Sequence, residues 1–153
     1  MIRRHGPSPA KGRHRLRAGA YAILLRGDRA LITFQSAPVP EFQLPGGGLD
    51  PGETAIAALH REVREETGWR IATPRRIGAY RRFCFMPEYG FRAEKLCSVW
   101  LARPVLRLGP PTEPGHEAHW VAACDLPALL ADPGARAFAA RAVGQTRAAH
   151  DAS

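Results

Sequence analysis

Short apolar runs separated by turn residues fill the first third of the chain, and their spacing predicts strands. Residues 20–25 and 30–34 flank Arg26-Gly27-Asp28-Arg29, which reads as a β-hairpin. Residues 35–40 make a proline-containing loop, and residues 42–44 lead into Pro45-Gly46-Gly47-Gly48, too flexible to predict regular structure. Residues 54–67 carry the strongest helical pattern. Ile56, Leu59 and Val63 fall at i, i+3 and i+7, one apolar stripe, with Asp50 and Glu53 at the positive N-terminal end and Gly68 as a stop. Residues 77–85 and 95–103 predict two strands joined by a loop containing Pro87, Glu88, Tyr89 and Gly90. A loop at 110–115, a short strand at 119–122, a helix at 125–131 with Asp125 as N-cap, and a last helix at 135–143 complete the pattern. There is no internal repeat. Mixed strands with two or three helices predict an α/β or α+β sandwich. Residues 1–17 lack apolar periodicity and contain Gly6, Pro7, Pro9 and Gly12, so they are expected to form a mobile basic arm.

Length and composition narrow the class. At 153 residues the chain fits one domain. Its 45% hydrophobic and 24% charged residues match globular averages and exclude collagen-like, disordered and disulfide-scaffold chains. No apolar run approaches the roughly 18 to 20 residues of a membrane helix. Arg3 and Arg4 are followed by Gly, Pro and Arg rather than an apolar core, so a secretory leader is not expected. Cys84, Cys97 and Cys124 form no C-x-x-C pair, which argues against zinc or redox chemistry. Apolar neighbours such as Phe83 and Phe85 predict buried thiols in a reducing compartment, the cytoplasm.

Charge adds an asymmetry. The formal charge is +8, and residues 1–17 hold six basic side chains and no acid. The stretch 18–133 is neutral, so the tails supply the excess, whereas a nucleic-acid-binding domain usually carries it on the folded body. Within that stretch, acids concentrate at Glu53, Glu62, Glu65 and Glu66, and basic residues dominate from Arg70 to Arg107. An acidic cluster before a basic half suits a divalent cation beside an anionic ligand; the alternative is a set of solvated surface arginines.

Glu62, Glu65 and Glu66 lie three and four residues apart, on one helix face within about one turn. Like charges at this spacing destabilise a helix by roughly 0.2–0.5 kcal/mol per pair, and the helix C-terminus disfavours anions. Something must compensate. A hard cation, Mg²⁺ or Mn²⁺, does so through carboxylate oxygens and commonly binds with substrate phosphates. Arg61 and Arg64 offer the simpler compensation of a solvated, ion-paired face.

The surrounding spacing carries a resemblance. Gly47, Glu53, Arg61-Glu62-Val63, Glu65-Glu66 and Gly68-Trp69, within GGLDPGETAIAALHREVREETGW, match the Nudix box position by position. The chain thus resembles the Nudix hydrolases over residues 18–132, with Leu44-Pro45-Gly46 as lead-in and His119-Trp120-Val121 downstream. Residues 133–153 are left as a C-terminal helix and tail. Trp69 stands where an aliphatic residue is more usual, a change expected to affect packing. The resemblance implies an α/β/α sandwich around a mixed β-sheet, with the box as loop-helix-loop. It implies Mg²⁺- or Mn²⁺-dependent hydrolysis of a nucleoside diphosphate linked to another moiety. By box position, Glu62, Glu65 and Glu66 would be metal ligands, joined by the Gly46 carbonyl. Glu53 would support the metal site or a water, and Arg61 would hold a box glutamate. The general base stays open: Glu65 or Glu66, or a loop carboxylate ahead of Trp120, with Glu117 first and Glu113 in reserve.

The substrate is less legible. Arg81 and Arg82 are adjacent on a strand, so at most one faces the site and pairs with a phosphate. Tyr89, or one of Tyr80, Phe83, Phe85 and Phe91, is a candidate stacking partner for a base. Pro87 and Tyr89 do not fall at the spacings that mark subfamilies for ADP-ribose and dinucleoside polyphosphates, so no subfamily is assigned. The leading reading is an enzyme acting on a small nucleotide derivative. The alternatives are an RNA 5′-end pyrophosphohydrolase, suggested by the basic arm, and a non-catalytic Nudix-fold binding module. A homodimer is compatible with the resemblance. His60, His116 and His119 are not required as ligands.

Overall fold

A computed structural model describes residues 1–86 and 89–153; Pro87 and Glu88, both in the expected inter-strand loop, lie outside the described residues. The expected hairpin forms from β2 (Arg15–Arg26) and β3 (Arg29–Gln35), antiparallel with Leu24 opposite Leu31 and Arg26 opposite Arg29. The segment expected to be an irregular arm supplies β1 (Arg3–Arg4), parallel to β6, and the first residues of β2. Backbone pairing with neighbouring strands outweighs its lack of apolar periodicity.

Two further strands are short: β4 (Glu41–Gln43) and β5 (Gly46–Gly48). The glycine run therefore forms regular structure after all, antiparallel to β2 with Tyr21 opposite Gly46 and Gly19 opposite Gly48. The reason is steric. A Cβ at Gly46 would stand 2.2 Å from the Ala20 carbonyl oxygen, so only a bare backbone reaches this pairing. Helix α1 (Ala55–Thr67) follows, N-capped by Thr54 and closed by Gly68 at φ 78°. Its buried stripe is Ala58, Leu59, Val63, Glu66 and Thr67. Ile56 is exposed, contrary to the i, i+3, i+7 reading; Leu49 and Ala55 cover that end of the core instead.

The next two strands, β6 (Trp69–Met86) and β7 (Phe91–Arg107), are longer than their apolar cores suggest, because their outer halves are solvent-facing and rich in arginine. They pair antiparallel, with bulges between Arg70 and Gly78. β8 (His116–Ala122) starts three residues before its expected position and pairs with β3. The chain ends with a short 3₁₀ turn, α2 (Leu126–Leu129) and α3 (Pro133–Asp151). Asp125 makes no side-chain cap; Asp132 does, accepting from Gly134 N at 3.1 Å at the head of the longer helix.

The strand order β1-β6-β7-β2-β3-β4, with β5 beside β2 and β8 beside β3, makes one mixed sheet. Parallel pairing joins β1 to β6 and β2 to β7. Alternating side chains give each face its own core. Ala22, Leu24 and Leu31 pack under α1 with Leu59 and Val63, while Ile23, Ala30, Ile32 and Val99 pack under α3 with Phe138 and Ala139. The result is the expected α/β/α sandwich. Trp69 stands edge-to-face on Trp120 at 5.4 Å, and the Arg26 guanidinium lies over both rings, a packing role for the unusual residue. Cys97 is buried and Cys84 half-buried, but Cys124 is exposed, correcting the expectation of three buried thiols. No described helix is long and apolar enough to cross a membrane.

Candidate active site

Helix α1 runs beside β5, and the missing side chains of the glycine strand let the helix carboxylates come close. A Cβ on Gly47 would stand 2.6 Å from the Glu62 carboxylate. The Gly46 N–H donates to Glu66 Oε2 at 3.2 Å. Glu66 is 5% exposed, and burial pushes its carboxyl well above the ordinary range, reinforced by the charges of Glu62, Glu113 and Glu65. Burial likewise raises Glu62, against the pull of Arg61. Glu65 is the outer member, with a third of its side chain exposed.

Arg61 is the hub of the acidic cluster. It donates to Glu53 at 2.8 and 2.9 Å, to Glu62 at 2.9 Å, to Glu65 at 3.2 Å and to the Gly48 carbonyl at 3.1 Å. Glu53 in turn accepts from Asp50 N at 3.2 Å, and the Arg61 hydrogen bond holds its carboxyl down at about 2. The bidentate Arg61–Glu53 pair ties the loop before α1 to the middle of the helix. The sequence expectation that Arg61 holds one glutamate is thus too modest, since it reaches three.

A cleft of about 690 Å³ opens against this cluster, lined by Glu66, Gly46 to Gly48 and His116 on one side and by Tyr21, Tyr80, Arg82, Lys95 and Asp132 on the other. Strand parity decides who enters it. Arg82 faces the cleft and pairs with Asp132 at 3.2 Å; burial disfavours its charge, but Asp132 more than offsets this and raises it. Arg81 points to the opposite face and pairs with Glu94 at 3.1 Å, so it is not a cleft residue. Tyr89 is exposed and stacked on Phe91 outside the cleft, not within it. Tyr80 is core, with its hydroxyl donating to Asp132. Burial pushes the Tyr21 and Tyr80 hydroxyls up, so both stay protonated donors.

Parity also separates the two loop acids. On β8, His116, Ala118 and Trp120 share the face of Thr33 and Leu31 under α1, whereas Glu117 and His119 stand on the other face. Glu117 is exposed and pairs with His119 at 3.2 Å; it does not approach the α1 glutamates. Glu113 does. Its N–H donates to the Glu65 carbonyl at 2.9 Å, and its charge raises both Glu62 and Glu66.

Sequence reasoning missed His116. It accepts or donates to Thr33 at 2.9 Å and lies 3.9 Å from Glu66, with burial lowering its pKa so that the ring is neutral. The alternation His116-Ala118-Trp120 was the available signal, hidden because the strand was expected to begin at 119.

The chemistry of the donor set fits a hard divalent cation. Glu62 and Glu66 are desolvated carboxylates, and Glu66 has one backbone donor for its buried oxygens. Among the described residues no three acidic, histidine or cysteine side chains already converge as a metal cage, because Arg61 draws Glu62 and Glu65 to itself.

A family model described as NUDIX domain matches residues 14–142. A Bacillus subtilis (strain 168) protein named provisionally as an 8-oxo-dGTP diphosphatase is 41% identical over 70 residues, 46% of this chain and 47% of that one. Nucleoside triphosphatase NudI of Enterobacter sp. (strain 638) is 44% identical over 35% of this chain and 34% of its own. An RNA pyrophosphohydrolase of Halorhodospira halophila is 36% identical over 40% of this chain and 34% of its own. Each match thus spans half or less of the relative. Among solved structures, a MutT protein from Bacillus halodurans superposes with a TM-score of 0.68 at 20% identity, over 83% of this chain and 82% of that one. A NUDIX hydrolase from Nitrosomonas europaea gives 0.61 at 23% identity, over 75% and 78%. These two likenesses speak to the fold.

Proposed function

The chain belongs to the NUDIX family, and on that premise we propose that it is a divalent-metal-dependent hydrolase. Its bond is a pyrophosphate linkage in a nucleoside diphosphate joined to another group, which includes a further phosphate. The observation that carries this reading is the desolvated Glu62–Glu66 pair at the wall of a nucleotide-sized cleft, backed by glycines 46 and 47.

Glu62, Glu65 and Glu66 would hold Mg²⁺ or Mn²⁺, with the Gly46 carbonyl as a further oxygen donor. When bound, such an ion neutralises the diphosphate and lowers the pKa of a water. Arg61 sets the carboxylates in place and Glu53 anchors Arg61, so both are positioning residues. Arg82 meets a substrate phosphate in exchange for part of its pairing with Asp132. Glu113 supplies the nearby carboxylate that accepts the proton of the attacking water, with Glu65 as the alternative within the helix. His116 stays neutral and holds Thr33 and the inner wall beside Glu66.

The test is a panel of nucleoside triphosphates, nucleoside diphosphate conjugates and 5′-triphosphorylated RNA, incubated with Mg²⁺ or Mn²⁺. Release of nucleoside monophosphate with pyrophosphate or with the phosphorylated linked group, or of pyrophosphate from the RNA with a 5′-monophosphate left on it, is expected from at least one class, and Glu66→Gln should abolish it. Nucleotide binding without any release would favour a binding module instead.

A further inference from the structure

Three cations stand in one row across the cleft-side face of the sheet. Arg82 on β6 is in register with Lys95 on β7, and Lys95 with Arg17 on β2. Their side chains therefore leave the same face at strand spacings of about 4.8 Å. Like charges directly opposite one another destabilise a sheet, so the row is suited to an anion lying across it. Asp132 meets Arg82, but among the described residues no carboxylate lies within 4.0 Å of Lys95, Arg17 or Arg15.

The row begins inside the cleft, which Arg82 and Lys95 both line. It leaves the cleft at Arg17, whose guanidinium would be 3.8 Å from a Cβ on Gly48. Two residues earlier on β2, Arg15 extends the same face. Both arginines lie over aromatic rings, Arg17 5.3 Å from the Tyr89 centroid and Arg15 4.5 Å from that of Phe91. Tyr89 and Phe91 are themselves stacked, 5.7 Å apart at 24°. A cationic path that runs out of the cleft with its guanidiniums fixed in place is the arrangement that follows a phosphodiester backbone.

We propose that this track binds a single-stranded nucleic acid whose 5′ phosphates enter the cleft. The reading rests on the cleft being the hydrolytic site, and it gives a role to the basic N-terminal residues that the box leaves unused. Arg17 stands at the cleft rim beside Gly48, and Arg15 and the ring pair are absent from the cleft lining, so the row continues past the cleft that a small nucleotide would fill. An anionic membrane is disfavoured by the same geometry, because the rings are clamped under guanidiniums and stacked on each other instead of projecting.

The experiment is fluorescence anisotropy of the full chain with a 3′-labelled, 5′-phosphorylated single strand of about ten nucleotides, titrated over a range of salt in chelator. Without divalent metal no turnover is involved, so failure of the hydrolytic reading leaves this measurement intact. Parent protein should show a log-log salt slope of about −0.7 for each phosphate contacted. Arg15→Gln/Arg17→Gln should flatten the slope by about 1.4 and weaken binding on the order of tenfold, for every sequence alike. Lys95→Gln should flatten it by about 0.7 more. Equal affinity and slope in parent and double variant would overturn the proposal. So would a loss confined to phosphatidylserine vesicles with oligonucleotide binding unchanged.

Discussion

Replacing Glu66 with Gln removes a charge from the most desolvated acid of the cluster while leaving an oxygen for the Gly46 N–H, which donates at 3.2 Å. Burial has raised the Glu66 carboxyl well above the ordinary carboxylate range. A raised carboxyl stabilises the folded state fully below the unfolded pKa, and that contribution is lost as pH rises through the folded pKa. Near pH 7.5, without divalent metal, burying this carboxyl is therefore a cost. Desolvation of such a group amounts to several kcal/mol after relaxation, and one charged hydrogen bond offsets about 1.5–3 of it. A residue of about 1–3 kcal/mol predicts that the variant melts roughly 2–10 °C above the parent in chelator. The two should converge below about pH 4.5. Divalent metal reverses the order, since a ligand at 100 times its Kd stabilises the parent by about 2.7 kcal/mol while the variant keeps little of this. Glu65→Gln is the control: that carboxylate is 33% exposed and paired with Arg61, so its change should stay within about 1 kcal/mol. Differential scanning calorimetry in chelator and in Mn²⁺ reads all of these. A parent more stable than Glu66→Gln in chelator, or equal stabilisation of both by metal, refutes the reasoning.

Four further outcomes follow from the same geometry. Arg61→Lys keeps the charge but not the fork that reaches Glu53, Glu62 and Glu65, so turnover should fall at least tenfold while circular dichroism is unchanged. Glu53, held at about 2 by Arg61, stabilises the fold above its unfolded pKa and loses that contribution as pH falls through about 2, so the stability gap between parent and Glu53→Gln should shrink on acid titration. Gly46→Ala places a Cβ 2.2 Å from the Ala20 carbonyl at φ 150°, and denaturant unfolding should show a loss of about 2–6 kcal/mol. Glu113→Gln should lower kcat with KM little changed, whereas Glu117→Gln, on the far face of β8, should stay within about twofold of the parent.

The sequence is most legible where spacing alone decides the geometry. The offsets of Glu62, Glu65 and Glu66 put them on one helix face whatever the fold around them, and Arg61 is bound to meet Glu65 at i+4. The hairpin around Gly27 and the cap at Gly68 are equally local. Features set by long-range packing are not. β5 forms because Ala20, Tyr21 and Glu62 crowd Gly46 and Gly47, and none of those neighbours is near in sequence. The full lengths of β6 and β7 were hidden by exposed arginines and by the bulges at Arg70–Gly78, which break the period of two. Site residues on strands depend on parity. A strand beginning at His116 instead of 119 puts His116 beside Glu66 and turns Glu117 away. The same alternation sends Arg82 into the cleft and Arg81 to Glu94.

The measurement that bears most directly on the whole account is anomalous scattering from a crystal of the parent protein soaked in Mn²⁺. The account predicts a peak coordinated by Glu62 and Glu66 oxygens at about 2.0–2.3 Å, with Arg61 retained by Glu53. A difference map without a peak at that pair, or with the metal held elsewhere on the chain, contradicts it.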